Sequence, residues 1–175
     1  MKDKKNKLAI HGNTPLIQKS FKPYNTIGDE ETNAALGVIK SGVLSKYIGA
    51  DHQDFNGGPK VNEFERALED YFSVKHAITV NSWTSGLITA VGALDLEPGD
   101  EIIVPPWTMC ATATAILHWN LIPVFADIEL NTYNIDINSI KKNITSKTKA
   151  IMAVDIGGHP ADMDKIKSIA KQNEL

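Results

Sequence analysis

The chain has 175 residues, 42% of them hydrophobic and 22% charged, which is ordinary for a globular protein and long enough for one domain, or one large piece of one. The formal net charge of -3 excludes a general attraction to nucleic acid. The single cysteine, Cys110, excludes an internal disulfide, and the sequence shows neither a signal peptide nor an apolar run of the ~20 residues that cross a bilayer. These features predict a cytoplasmic enzyme or binding protein with no nucleic-acid or membrane partner.

The first part of the chain predicts an irregular arm, a helix, a long loop and a second helix. Glycines and prolines interrupt residues 1–28, which is typical of an arm that wraps a neighbouring subunit. The stretch "DEETNAALGVIKSG" has acidic residues in its first turn and Gly42 at its end, so we expect a helix there. After the loop "VLSKYIGADHQDFNGGPK", the spacing in "KVNEFERALEDYF" predicts a helix with one apolar face, made of Val61, Phe64, Leu68 and Phe72.

From His76 onward, short apolar runs alternate with segments of helical spacing. Four runs predict strands, "HAITVN", "DEIIVPP", "IPVFADI" and "KAIMAVDI", and "TSGLITAVGALDL", "ATATAILHWN" and "DINSIKKNI" predict the helices between them. Continuous apolar strands in strict alternation with helices indicate a three-layer α/β fold with a mainly parallel sheet. A last helix over 161–175 should turn Met163, Ile166 and Ile169 inward, and a sheet that stops there is expected to be incomplete at the C-terminus.

The first strand-to-helix corner is "NSWTSGL", where the opening amides of a helix have no intrahelical partner. Thr84 and Ser85 could offer hydroxyls and N–H groups to a phosphate there. Ordinary capping of the helix by Ser82 or Thr84 explains the same residues. Because no G-x-G-x-x-G or G-x-x-x-x-G-K-[ST] motif follows any strand, a bound phosphate would not belong to the ligands that those motifs hold.

Two further corners carry residues that could bind ligands. Trp107, at the tip of the strand in "VPPWTMCAT", could stack on a flat heteroaromatic ring or fill the core, while Cys110 is expected to be a small buried hydrophobe. In "VDIGGHPADMD", His159, Asp162 and Asp164 match no strong metal pattern, and neither does "DHQD" at 51–54. We therefore predict no metal site.

The order of these corners resembles the N-terminal half of the DegT/StrS family of sugar aminotransferases, which depend on pyridoxal phosphate (PLP) and have the type I aminotransferase fold. The resemblance runs from about Thr14 to the end, through "GGPKVNEFERALEDYFSVKHAITVNSWTSGL", "EPGDEIIVPPWTMCATATAIL", "IPVFADIELNTYNID" and "TKAIMAVDIGGHPADMDKI". It implies that Thr84 and Ser85 bind the PLP phosphate and that Trp107 stacks on the pyridine ring.

The sequence departs from the family pattern at three places. Trp83 stands where the family usually has Gly or Ala, and Asp155 stands where many relatives have histidine, with no role assigned to it. The loop between Leu44 and Pro59 is longer than the common form, which implies a differently shaped substrate entrance.

The resemblance also implies a division of the chain and of its chemistry. Residues 1–28 would be an N-terminal arm, and residues 29–175 would be the first half of the PLP-binding large domain. The Schiff-base lysine and the aspartate that pairs with the pyridine nitrogen would lie beyond residue 175. No catalytic residue is then expected within the chain, which should be inactive alone.

The resemblance implies a function for the full-length protein, a homodimer that moves an amino group from an amino acid to a keto group of a nucleotide-linked sugar or cyclitol. Two alternatives remain open. A PLP-dependent sugar dehydratase of the same family has a histidine in place of the lysine. A non-catalytic remnant that binds a ligand or a partner would instead end naturally at Leu175.

Overall fold

A computed structural model of the chain describes residues 8–175. It divides into two compact units, the first ending at Lys75 and the second beginning at His76. Residues 1–7 of the predicted arm lie outside the described residues, and its boundary at residue 28 remains a prediction.

The first unit contains two α-helices joined by a long loop, as the sequence predicts. Helix α1 spans Asp29–Ser41 and ends at Gly42, whose φ of 71° is left-handed. Its first turn is closed by the backbone N–H of Gly28, which donates to Glu31 Oε2 at 2.7 Å and holds the pKa of that carboxyl below its usual value. Residues 8–28, which precede this helix, contain one short 3-10 turn, Ala9–His11.

Helix α2 spans Pro59–Phe72, with Pro59 in its first turn and Ser73 as its left-handed C-cap. Within the loop before this helix, Lys46 Nζ forms an ion pair with Asp54 Oδ2 at 3.4 Å, which joins two parts of the loop. The apolar face predicted for α2 is only partly covered within the described residues, since Phe64 is 56% and Phe72 63% exposed.

The second unit is built on a three-stranded parallel sheet in the order β2-β1-β3. Its strands are β1 Glu101–Val104, β2 Ile122–Phe125 and β3 Thr148–Ile151. In the central strand, Ile102, Ile103 and Val104 are at most 1% exposed. This is the burial expected of a continuous apolar strand that is covered on both faces.

Helices cover both faces of this sheet, so the predicted three-layer α/β fold is confirmed. They are α3 Trp83–Gly92, α4 Cys110–His118, α5 Ile137–Asn143 and α6 Met163–Gln172. Ile103 packs with Ile140 and Ile166, from α5 and α6. On the other face, Ile102 and Val104 pack with Val91 and Ile116, from α3 and α4. The alternation of Ile102, Ile103 and Val104 between two cores follows from the two-residue period of a strand.

Three sequence expectations are wrong. The segment 76–81, "HAITVN", is not a strand of the three-stranded sheet, because a strand needs a continuous ladder of backbone hydrogen bonds and the described ladders join only β1, β2 and β3. Cys110 is exposed rather than buried, because the buried face of α4 is formed by Ala111, Thr112, Ala115 and Ile116.

Met163 is also not fully inward, since it is 40% exposed while Ile166 and Ile169 are 4% exposed. Residues three apart on a helix differ by about 60° around the axis. Met163 therefore lies about 120° away from Ile169, outside the buried stripe.

Candidate functional site

The carboxyl ends of the three parallel strands meet at one edge of the sheet, which is where ligands bind in open α/β folds. Trp107 follows β1 at this edge, and the loop 155–160 follows β3. The turn 129–134 comes after β2. The sheet topology therefore brings together residues that the sequence places in separate motifs.

The first turn of α3 also lies toward this edge. The C-terminal half of α3 contacts the end of α4. Trp119, the C-cap of α4, donates from Nε1 to the carbonyl of Ile88 in α3 at 2.8 Å. The next residue, Asn120, accepts from the Gly99 amide at 2.9 Å, close to the amino end of β1. Since α3 and α4 lie on the same sheet face and are each about 14–15 Å long, we infer that both helix N-termini point toward the carboxyl edge.

The first turn of α3 is capped by Ser82. Its hydroxyl accepts from the backbone N–H of Ser85 at 3.2 Å, and its carbonyl accepts from the N–H of Gly86 at 3.1 Å. Ordinary capping is thus present, and Ser82 rather than Thr84 is the cap. The backbone N–H groups of Trp83 and Thr84, at the first two helical positions, have no intrahelical acceptor by geometry. An anion bound to these amides would be compatible with the cap.

Trp83 packs along the surface of its own helix. A Cβ at Gly86, three residues later, would lie 2.7 Å from Cε3 of the Trp83 ring. The indole occupies the space that a larger side chain at Gly86 would need, although it remains 73% exposed. This contact explains why a glycine follows a bulky residue at the start of α3, and it was missed by sequence reasoning.

Trp107 lies at the carboxyl edge with much of its indole accessible. It is 58% exposed, whereas Pro105, two residues earlier, is fully buried. Its ring centroid is 6.3 Å from that of Tyr133, with a 38° angle between the planes. The exposed remainder of the indole is available to a flat ligand, and core packing does not account for this side chain.

A buried asparagine holds the loop 155–160 in place. Asn134 is 4% exposed, and its Nδ2 donates to the carbonyls of His159 and Pro160 at 3.0 and 3.1 Å. Its Oδ1 accepts from the Ile156 N–H at 3.2 Å. Sequence reasoning missed Asn134, although a polar residue directly before the apolar Ile135 was a usable signal.

Asp155 has a structural role, because its Oδ1 accepts from the backbone N–H of Ala161 at 2.9 Å and bridges the two ends of this loop. Asp162 caps α6 and pairs with Lys165 at 2.6 Å. Lys165 holds the pKa of Asp162 below its usual value, and the carboxylate in turn raises the pKa of Lys165. Within residues 8–175, no three His, Cys, Asp or Glu side chains form a group that could hold a metal ion.

The carboxyl edge of this parallel sheet carries a helix N-terminus, nearby hydroxyls and an accessible indole. These features suit an anionic aromatic ligand. Residues 33–175 match the sequence model of the DegT/DnrJ/EryC1/StrS aminotransferase family. The chain therefore belongs to this family.

Similar proteins agree with this assignment. The chain is 40% identical over 164 residues to the spore coat polysaccharide biosynthesis protein SpsC of Bacillus subtilis, covering 91% of this chain and 39% of that protein. It thus spans about two fifths of the length of this relative.

Solved structures confirm the fold class. An aminotransferase from Psychrobacter cryohalolentis superposes with a TM-score of 0.79 at 32% identity, over 89% of this chain and 37% of that one. A GDP-4-keto-6-deoxymannose-3-dehydratase with a trapped PLP-glutamate geminal diamine gives 0.74 at 31% identity, over 84% and 37%. The chain has the partial α/β domain of PLP-dependent aminotransferases.

Within residues 8–175, no helix is both long and apolar enough to span a membrane.

Proposed function

We propose that the whole protein is a PLP-dependent aminotransferase that moves an amino group from an amino acid to a keto group of a nucleotide-linked sugar or cyclitol. The observation that carries this proposal is the family match over residues 33–175. The aminotransferase among the similar structures supports the reaction type. The GDP-sugar and the PLP-glutamate adduct named for another similar structure support the substrate class, the donor and the cofactor.

The residues at the carboxyl edge fit PLP. The unpaired first amides of α3 and the positive end of its dipole suit a phosphate. Thr84 would supply its amide and hydroxyl, and Ser85 would supply its hydroxyl, which lies 3.2 Å from that of Ser82. Trp107 would stack on the pyridine ring. PLP supplies the electron sink for amino transfer, and these residues of the chain bind and orient it.

We also propose a homodimer and a substrate entrance for the whole protein. Residues 1–28 are proposed as the N-terminal arm of the homodimer, and residues 29–175 as the first half of the large domain. The loop between Leu44 and Pro59 is proposed to shape the entrance for the sugar nucleotide. A cavity of about 500 Å³ lies in the first unit, lined by α1, the start of that loop and the start of α2. The enzyme is proposed to act in the cytoplasm without a nucleic-acid or membrane partner.

Removing the proposed PLP contacts should weaken cofactor binding in proportion to what each contributes. We expect Trp107→Ala to raise the dissociation constant for PLP about tenfold, and Thr84→Val and Ser85→Ala to raise it about three- to tenfold each. Equilibrium dialysis of the full-length protein against PLP measures these constants.

The matched control is Thr89→Val, which removes a hydroxyl from the same helix but outside its first turn. It should leave the dissociation constant unchanged. Equal losses in Thr84→Val and Thr89→Val would contradict a phosphate site at the first turn of α3.

The reaction itself is tested with a nucleotide-linked keto sugar and nitrogen-labelled glutamate. An aminotransferase transfers the label to the sugar and forms one 2-oxoglutarate per amino sugar. The dehydratase alternative is favoured by the similarity to a GDP-sugar dehydratase, and it would give a deoxy sugar that carries no label. Mass spectrometry of the sugar product distinguishes the two activities, and a deoxy sugar without label would contradict the proposed aminotransferase.

A further inference from the structure

Tyr133 has a backbone conformation that tyrosine rarely adopts. Among residues 8–175, five non-glycine residues have positive φ, and Tyr133, at 61°, is the only aromatic one. A bulky side chain in the left-handed region is strained and is kept only where the surrounding structure holds it. Such strain is concentrated at functional positions, so the environment of this residue is informative.

The turn 129–134 holds Tyr133 by several hydrogen bonds. The Tyr133 amide donates to the Glu129 carbonyl at 2.9 Å, and the Glu129 amide donates to the Asn134 carbonyl at 2.9 Å. Thr132 Oγ1 donates to Glu129 Oε2 at 2.9 Å and accepts from the Asn134 amide at 3.2 Å. Asn134 in turn is anchored to the loop after β3. Hydrogen bonds of the residues before and after Tyr133 therefore fix its backbone conformation.

The turn by itself gives no reason for an aromatic side chain. Glycine or asparagine adopts the left-handed conformation at lower cost. Tyr133 is 52% exposed, so burial of its side chain does not offset the strain either. What distinguishes the ring is its partner, because its centroid lies 6.3 Å from that of Trp107 and within the range of attractive aromatic pairs.

We propose that Tyr133 is a positioning residue for Trp107. Its ring supports the indole and sets the tilt of the exposed face that receives a flat ligand. The effect on the ligand rests on the proposed PLP function, whereas the effect on the indole does not. Trp107, at 58% exposure, keeps accessible surface for that ligand while Tyr133 contacts it.

The first experiment observes the Trp107 indole directly in the full-length protein without PLP. The protein is labelled with fluorotryptophan, and the fluorine resonance of Trp107 is assigned by its loss in Trp107→Phe. We expect Tyr133→Gly to shift the Trp107 resonance and Tyr133→Phe, which keeps the ring, to leave it close to its original position. Asp95→Gly is the matched control, because it relieves the same left-handed conformation, with φ of 52°, at a turn that follows α3. It should not shift Trp107.

The second experiment separates positioning from a merely structural role. Tyr133→Gly removes the ring and also the left-handed strain, so we expect its melting temperature to be unchanged or higher. Its dissociation constant for PLP should nevertheless rise about two- to tenfold, while Tyr133→Phe should stay within twofold of the unmodified protein.

The outcomes are distinguishable. A Trp107 resonance that does not move in Tyr133→Gly would overturn the proposal, as would a shift of equal size in Asp95→Gly. If the resonance shifts but the unmodified protein binds no PLP, the contact with Trp107 is supported and the proposed cofactor site fails. If PLP binds equally well to all variants, the effect on the ligand is overturned.

Discussion

Replacement of Asn134 by alanine is expected to lower the free energy of unfolding by about 3 kcal/mol, because it removes one buried side chain that satisfies three backbone groups. The carbonyls of His159 and Pro160 lose their donor, and the N–H of Ile156 loses its acceptor. The alanine side chain has neither a donor nor an acceptor, and water cannot easily replace them because Asn134 is only 4% exposed. Urea denaturation followed by circular dichroism measures the loss.

Asn131→Ala is the matched control, since it removes the same side chain from an exposed position of the same turn. It should change the free energy of unfolding by no more than about 0.5 kcal/mol. Asn134→Asp keeps an acceptor for Ile156 but directs a carboxylate oxygen at two carbonyls, and we expect it to be at least as destabilising as alanine. If Asn134→Ala were as stable as Asn131→Ala, the structural role of Asn134 would be contradicted.

Gly92→Ala should destabilise the protein by about 1–3 kcal/mol although alanine is the better helix former. A Cβ at Gly92 would lie 2.7 Å from Cε2 of Trp119 and would also overlap Cζ2. The indole cannot easily move aside, because its Nε1 donates to the Ile88 carbonyl of the same helix. Denaturant unfolding measures the effect, which should appear as a lower midpoint.

Gly37→Ala in α1 is the control for helix propensity. A Cβ there meets no atom within 4 Å, so the substitution should stabilise α1 by up to about 1 kcal/mol. Combining Gly92→Ala with Trp119→Phe tests the clash, because removing the larger ring should recover part of the loss and the two effects should not add. If Gly92→Ala stabilises as Gly37→Ala does, the close packing of α3 on Trp119 is wrong.

Much of the fold could be predicted because it depends on short-range patterns. End signals, such as Gly42 after α1, lie within a few residues of the helix they delimit. The continuous apolar runs predict β1, β2 and β3, and the expected burial on both faces is found in the central strand β1. The segment 76–81 has the same local pattern but is not a strand of this sheet, since strand pairing depends on the whole fold and not on local composition alone.

The candidate site was predictable only in part. The order of the motifs around Thr84, Ser85 and Trp107 is enough to indicate the family, and the family match confirms it. The cofactor roles of these three residues remain predictions. Local reasoning could not choose between Ser82 and Thr84 as the cap, because both are good capping residues and only the geometry of the turn decides.

The sequence by itself determined the α/β class, the order of the helices, the mainly parallel sheet and the family, since hydrophobic periodicity, helix end signals and the order of the motifs can all be read along the chain. Only the tertiary structure decided how Asn134 holds a loop 22 to 26 residues away and that the ring of Tyr133 lies beside that of Trp107. It also decided that Cys110 is exposed. The physical reason is that a buried polar side chain or an aromatic ring is satisfied by whichever groups the folded chain brings to it, and no local periodicity specifies those groups.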